Sequence, residues 1–181
     1  LQVHLVVNSF RPAALEAAQR VVQRLRADGV LLGTERDTAE ALGLPAVPTA
    51  EFGSADLIVS IGGDGTLLRA AHFVSAVGTP ILGVNFGRFG FVCAFEPEEA
   101  EGAILAALKG EMQTQKRMMS QTELIRDGKV VATLHSLNET VVQRSAMTRI
   151  LEFRVRVDGT ELARYPADGV MVATPTGSTA Y

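Results

Sequence analysis

LIVSIGGDGTLLRAAHFVSAVGTPILGVN, residues 57–85, decides the fold. Residues 57–61 form an apolar run short enough for a buried strand, and Gly62-Gly63-Asp64-Gly65-Thr66 breaks it. Residues 66–77 read as a helix, residues 80–84 as a second apolar strand, and residues 85–90 as a loop. The same alternation extends upstream. Residues 3–7 are an apolar run around His4, and Pro12 then opens a helix. Leu15, Ala18, Val22 and Leu25 share one face of that helix, with Gln19, Arg20, Gln23 and Arg24 largely opposite and Gly29 beyond its end. A short strand over 30–32, a weak helix and a proline-containing loop over 43–53 follow. Downstream, Pro97 opens a helix with Glu98, Glu99 and Glu101 in its first turns, Lys109 in its last and Gly110 after it. Apolar strands alternating with helices predict a parallel sheet covered on both faces.

From about Met112 the period becomes two. Leu151, Phe153, Val155 and Val157 alternate with Glu152, Arg154 and Arg156, predicting one apolar and one solvated face. Asp158-Gly159 and Asp127-Gly128 each fit a type I′ turn between two strands. The chain therefore reads as an α/β domain over residues 1–111 and an antiparallel β-rich domain over residues 112–181.

Composition narrows the class. The 181 residues carry 17 Lys and Arg against 20 Asp and Glu, a net charge of −3, so no basic surface for nucleic acid is expected. A hydrophobic share of 47% with 20% charged residues excludes a disordered chain. No apolar run is long enough to predict a membrane span, and the opening LQVHLVVNSFRP has no basic leader, although it starts with Leu rather than Met. One cysteine, Cys93, permits no internal disulfide and suits a reducing cytoplasm.

Four motifs interrupt the apolar pattern. In GGDGT, Gly62, Gly63 and Gly65 leave backbone N–H groups open to a phosphate. Asp64 would repel that phosphate, so it reads as a general base for a hydroxyl or a metal contact beside a polyphosphate. The plain alternative is a tight turn whose Asp caps the helix. In GVNFGRFGF, residues 83–91, the glycines and Asn85 follow a strand at the same carboxyl edge, where open α/β sheets bind ligands. Phe86, Phe89 and Phe91 read as packing residues. Asn138 and Glu139 interrupt the apolar stretch 130–142; such a pair hydrogen-bonds a base edge and a ribose diol, or simply faces solvent. Asp168-Gly169 leads into TPTGSTAY, residues 174–181, a hydroxyl-rich loop whose Tyr181 suits stacking on a base, the alternative being a surface loop. The three histidines are ungrouped, and Cys93 reads as a small core residue. Arg117, Arg126, Arg149, Arg154, Arg156 and Arg164 make the second half locally basic.

GGDGT, GVNFGRFGFV, LNE and DGVMVATPTGSTAY, in that order, resemble the NAD kinase family. The resemblance covers residues 3–181 and is strongest over 58–91 and 137–181. Diacylglycerol and sphingosine kinases carry a loop like GGDGT, and phosphofructokinases a related one, but LNE and TPTGSTAY separate the NAD kinases. The resemblance implies a Rossmann-like α/β domain followed by a β-rich domain, with NAD held between them. It implies transfer of the γ-phosphoryl of ATP, or of polyphosphate, to the 2′-hydroxyl of the adenosine ribose of NAD, giving NADP, with Mg²⁺ bridging the ATP phosphates. By resemblance Asp64 accepts the hydroxyl proton and contacts NAD, Gly65 seats the dinucleotide, and Gly62, Gly63, Gly65 and Thr66 form the phosphate loop. Arg69 lies near the phosphates, and Asn138, Glu139 and Arg149 contact NAD. Asp168 meets the nicotinamide end, and Thr176, Thr179, Ala180 and Tyr181 line the adenine side. No protein side chain is assigned to the metal. Pro166 stands where many members have a basic residue, so no contact is carried over there. Members assemble as homodimers or homotetramers, and their sequence continues past this last motif. The chain is therefore expected to be incomplete in its β domain and less stable than a longer form. A lipid kinase with an apolar cleft and a catalytically inert dinucleotide-binding fragment are the competing readings.

Overall fold

Val3, Leu5 and Val7 alternate with His4 and Val6 along the first strand, and that alternation divides the core in two. The computed structural model describes residues 1–87, 90, 92–145 and 149–179. The expected packing roles of Phe89 and Phe91 fall outside these residues. β1 (Gln2–Val7) pairs in parallel with β2 (Leu31–Thr34) on one side and β3 (Leu57–Gly62) on the other, and β3 pairs with β4 (Ile81–Asn85). The order β2-β1-β3-β4 reverses direction between β1 and β3. On one face Val3, Leu5, Val7, Val59 and Ile61 pack against α1 (Pro12–Ala27), α2 (Arg36–Leu42) and α4 (Ala100–Leu108). On the other, Val6 and Ile58 meet Phe52 from a 3₁₀ turn and Ala70 and Val74 from α3 (Asp64–Val74). Apolar surface on both faces is what a parallel sheet buries.

Local chemistry accounts for most boundaries. Pro12 occupies the first turn of α1, and Gly29 beyond its end has φ +72°. α3 starts at Asp64 rather than Thr66, because the Gly63 carbonyl already accepts helical bonds from Thr66 N (2.9 Å) and Leu67 N (3.3 Å). Asp64 is thus in the first turn of a helix, where its charge is favoured by the dipole. The helix stops at Val74, three residues before the expected end, where Gly78 at φ +78° turns the chain. α4 is preceded by a 3₁₀ turn, Pro97–Glu99, with Glu96 and Glu99 in a capping box, and Lys109 sits at its C-cap rather than in its last turn.

His4 is buried in the sheet, its ring edge-on to Phe52 at 5.1 Å between centroids. Burial lowers its pKa from 6.5, offset in part by the Phe52 backbone and the Glu51 charge. The unfolded chain therefore binds the extra proton first, so this contribution to stability is complete above about pH 6.5 and is lost as pH falls towards the folded pKa. The urea midpoint should drop between pH 7 and pH 5 by more in the native sequence than in His4→Asn. Equal pH dependence in the two would show that His4 does not contribute.

Two compact units make up the chain, Leu1–Lys116 and Arg117–Tyr181, and residues 111–119 form neither helix nor strand. In the second unit β5 (Ser120–Arg126) pairs with β6 (Lys129–Ser136), β7 (Glu139–Gln143) with β10 (Gly169–Ala173), and β8 (Leu151–Val157) with β9 (Thr160–Ala167), all antiparallel. Both expected hairpin turns have positive φ at each central residue: Asp127 and Gly128 at 50° and 72°, Asp158 and Gly159 at 49° and 79°. The expected apolar face of β8 is only partly covered: Phe153 and Val155 are half-buried, whereas Leu151 and Val157 are exposed. The reason is that the ladders are two-stranded, and among the described residues of this unit Leu137 is the one large apolar side chain fully buried. No helix among the described residues is long and apolar enough to cross a membrane.

Candidate active site

The carboxyl ends of β1 and β3 lie at the point where the strand order reverses, the usual ligand position in an open α/β sheet. Asn8 N donates to Ile61 O across this gap at 2.9 Å. Gly62 fits only as glycine, because an added Cβ would come 2.7 Å from Thr66 Cβ and 3.1 Å from Asn8 Cβ. The two loops enclose an open cleft of about 300 Å³ lined by Asn8, Phe10, Arg11, Gly63, Gly65, Thr66 and Arg69. Gly65 is different from Gly62: a Cβ there would meet nothing within 4 Å.

Arg69, on α3, donates to Val7 O at 3.0 Å and to Glu35 Oε2 at 2.9 Å. Burial raises the Glu35 pKa, against the pull of the Arg69 charge and the Val7 backbone. The Asp64 carboxylate turns towards the segment after β4. Its Oδ1 accepts from Cys93 N (3.1 Å) and Val92 N (3.3 Å), and Gly90 passes so close that a Cβ would lie 2.9 Å from Asp64 Cγ. Cys93 is therefore not a plain core residue. It is half-buried and its thiol hydrogen-bonds Asp64; burial first, then the Asp64 charge and that bond, push the thiol pKa up to about 12. Alkylation of Cys93 should consequently be slow at pH 8 and speed up severalfold in Asp64→Asn, as followed by mass spectrometry under native conditions. Equal rates would show that the carboxylate does not hold the thiol.

In the second unit the LNE and TPTGST segments close on each other. Thr174 N donates to Asn138 O at 2.8 Å, Thr174 Oγ1 to Leu137 O, and Gly177 N to Thr174 Oγ1 at 3.2 Å. A Cβ on Gly177 would lie 2.6 Å from Asn138 Cα and closer still to its carbonyl. Asn138 Oδ1 and Glu139 Oε2 are buried, and neither finds a hydrogen-bond partner among the described residues. Arg117 donates to Thr176 Oγ1 at 3.3 Å, and Thr179 Oγ1 donates to Thr176 O at 3.3 Å. Asp168 is ion-paired with Arg144 at 2.5 Å, while Arg149 is exposed. Ala180 and Tyr181 lie outside the described residues.

The first unit thus gathers Gly62, Gly63, Asp64, Gly65, Thr66 and Arg69 at one sheet edge, and the second gathers Asn138, Glu139, Thr176 and Thr179 around one turn. Sequence reasoning missed Asn8, Phe10 and Arg11, whose only local signal is the Arg-Pro step before α1. It also missed Glu35 and Arg144, whose partners are distant in sequence.

A parallel sheet with a glycine-rich acidic loop at its switch point, followed by antiparallel ladders, defines a nucleotide-binding α/β protein with a β-rich companion unit. The chain belongs to the NAD kinase family: residues 3–112 match the ATP-NAD kinase N-terminal domain and residues 137–181 the ATP-NAD kinase C-terminal domain. It is 39% identical over 180 residues to the NAD kinase of Symbiobacterium thermophilum, covering 98% of this chain and 64% of that one. The NAD kinase of Moorella thermoacetica is 38% identical over 182 residues, covering 99% of this chain and 58% of the relative. Yeast NADH kinase complexed with NADH superposes with a TM-score of 0.90 at 25% identity, covering 99% of this chain and 59% of that one. The NAD kinase from Archaeoglobus fulgidus in complex with ATP gives a TM-score of 0.66 at 25% identity, covering 99% and 62%. The chain spans about three-fifths of the length of these relatives. The models matched are those of NAD kinases and not of lipid kinases.

Proposed function

We propose that this chain carries the machinery of NAD phosphorylation: the γ-phosphoryl of ATP passes to the 2′-hydroxyl of the adenosine ribose of NAD, yielding NADP and ADP. The observation that carries this reading is the pair of orphaned acceptors, Asn138 Oδ1 and Glu139 Oε2. A buried acceptor without a donor costs about 1–3 kcal/mol. Such a pair suits a ligand that brings its own N–H and O–H groups, as a base edge and a ribose diol do. Arg149, Asp168, Thr176 and Thr179 belong to the same dinucleotide contact set, with Ala180 and Tyr181 on the adenine side. The dinucleotide contacts fall in residues 112–181 and the phosphate loop in residues 1–111.

Asp64 takes the proton of the 2′-hydroxyl as the oxygen bonds to the γ-phosphorus and the bond to the β-phosphate oxygen breaks. The helix start and the Gly63 and Gly65 amides offset charge on the transferring group, and Arg69, ion-paired with Glu35, stands near the phosphates. Mg²⁺ arrives with the ATP phosphates as part of the substrate; among the described residues no group of three His, Cys, Asp or Glu would hold it alone. Inorganic polyphosphate is a second candidate donor for the same loop. The single cysteine supports a reducing, cytoplasmic setting, and a homodimer or homotetramer is the assembly we expect.

The test is NADP formation from NAD and Mg-ATP, with diacylglycerol and sphingosine as alternative acceptors. NADP with no lipid product is the expected result. NAD binding without turnover would make the chain an inert dinucleotide module, and a phosphorylated lipid would overturn the reading.

A further inference from the structure

We propose that Phe10 and Arg11 form the nucleoside end of the phosphoryl-donor subsite, the Phe10 ring stacking on the donor's base and Arg11 holding its phosphates. This rests on the reading that the cleft beside GGDGT takes the phosphoryl donor.

A lone exposed Phe ordinarily needs no explanation. Phe10 differs in where it is and how it is held. It is 94% exposed, yet its backbone is fixed: Asn8 Oδ1 accepts from Phe10 N at 3.2 Å, and Arg11 N donates to Asn8 O at 3.1 Å. Pro12 follows directly and begins α1. The turn is therefore closed on itself and presents the ring at the mouth of the 300 Å³ cleft, which Gly63, Gly65 and Thr66 also line. Arg11 is anchored by one guanidinium N–H on Phe86 O. No carboxylate among the described residues pairs with it, whereas Arg69 in the same cleft is already matched by Glu35. A guanidinium has five donors, so Arg11 keeps capacity for an anion.

An aromatic plane next to an unmatched cation fits a ligand that is flat at one end and polyanionic at the other. A nucleoside polyphosphate has that form, and aromatic side chains stack on bases with little regard to which base it is. Inorganic polyphosphate has the anionic end only and would use Arg11 without Phe10. Phe10 then sets the preference for a nucleotide over an inorganic donor.

The test compares Phe10→Ala and Arg11→Ala with the native sequence in the full-length protein, titrating Mg-ATP and inorganic tripolyphosphate without NAD and then measuring KM and kcat with NAD present. Base stacking is worth roughly 5–150-fold in affinity. Phe10→Ala should weaken ATP by about 10-fold, the effect falling on KM rather than kcat, and leave tripolyphosphate binding unchanged. Phe10→Trp should restore ATP binding. Arg11→Ala should weaken both donors alike. Ribose 5-triphosphate replaces tripolyphosphate as the base-free probe if the latter binds too weakly to measure. Phe10→Ala weakening both donors equally, or neither, overturns the proposal. Phe10-dependent ATP binding in a protein that forms no NADP would uphold the subsite and defeat the kinase reading; NADP formation indifferent to Phe10 would do the reverse.

Discussion

Asp64→Asn should lower the rate of NADP formation by roughly 10²–10⁴, the usual worth of a general base, with a much smaller change in NAD affinity. The substitution isolates the proton. Asn has the same shape, and its carbonyl oxygen still accepts from Val92 N and Cys93 N, so the segment after β4 keeps its seat. Losing a negative charge from the first turn of α3 costs only about 0.3–1 kcal/mol through the helix dipole. In the proposed reaction, what disappears is the ability to take the ribose proton as the phosphoryl group leaves ATP. Single-turnover NADP formation beside an NAD titration separates the two effects. A turnover within a few-fold of native would take Asp64 out of the base role, and a loss of NAD binding as large as the loss of rate would make it a ligand contact instead.

Gly177→Ala should cut NAD affinity by roughly 5–150-fold, the equivalent of the about 1–3 kcal/mol that overpacking costs. The added methyl group would sit 2.6 Å from Asn138 Cα, and the atoms in its way are backbone, which cannot swing aside as a side chain does. Relief requires the 174–179 turn to lift from Asn138, breaking the bonds from Thr174 to Asn138 O and Leu137 O. The buried oxygens of Asn138 and Glu139 then lose their alignment. ATP binding, measured separately, should stay native, because the phosphate loop belongs to the other compact unit. Unchanged NAD affinity would mean that the contact between the two segments is not what shapes the dinucleotide site.

Features whose physics is local were readable before any coordinates. Asp127-Gly128 and Asp158-Gly159 specify their turns by backbone conformation alone. The apolar runs of β1, β3 and β4 are short and bounded, so they read as buried strands. The glycines of GGDGT place it between a strand and a helix, and it lies there, from the end of β3 into the first turn of α3. Features that depend on distant pairing were not readable. Asp64 meets Cys93 across 29 residues, and Arg69 meets Glu35 across 34. Nothing near Glu35 or Cys93 signals either encounter. Phe10 carries no mark in the sequence beyond its place between a strand and a helix; its exposure and its place at the cleft are visible only in the folded chain. The period-two pattern of β8 gave the correct strand but overstated the burial of its face, because alternation reports which residues share a side and not what covers that side.

Under the function proposed above, position 65 sets thermal stability and ligand approach against each other. Alanine is a better helix former than glycine by about 1 kcal/mol, and nothing in the protein obstructs a methyl group there. Selection for heat resistance alone would therefore drift towards alanine at this position. Each step in that direction would fill the space a phosphate needs to reach the backbone. On that reading the glycine in the first turn of α3 marks the outline of a molecule that visits the protein without belonging to it.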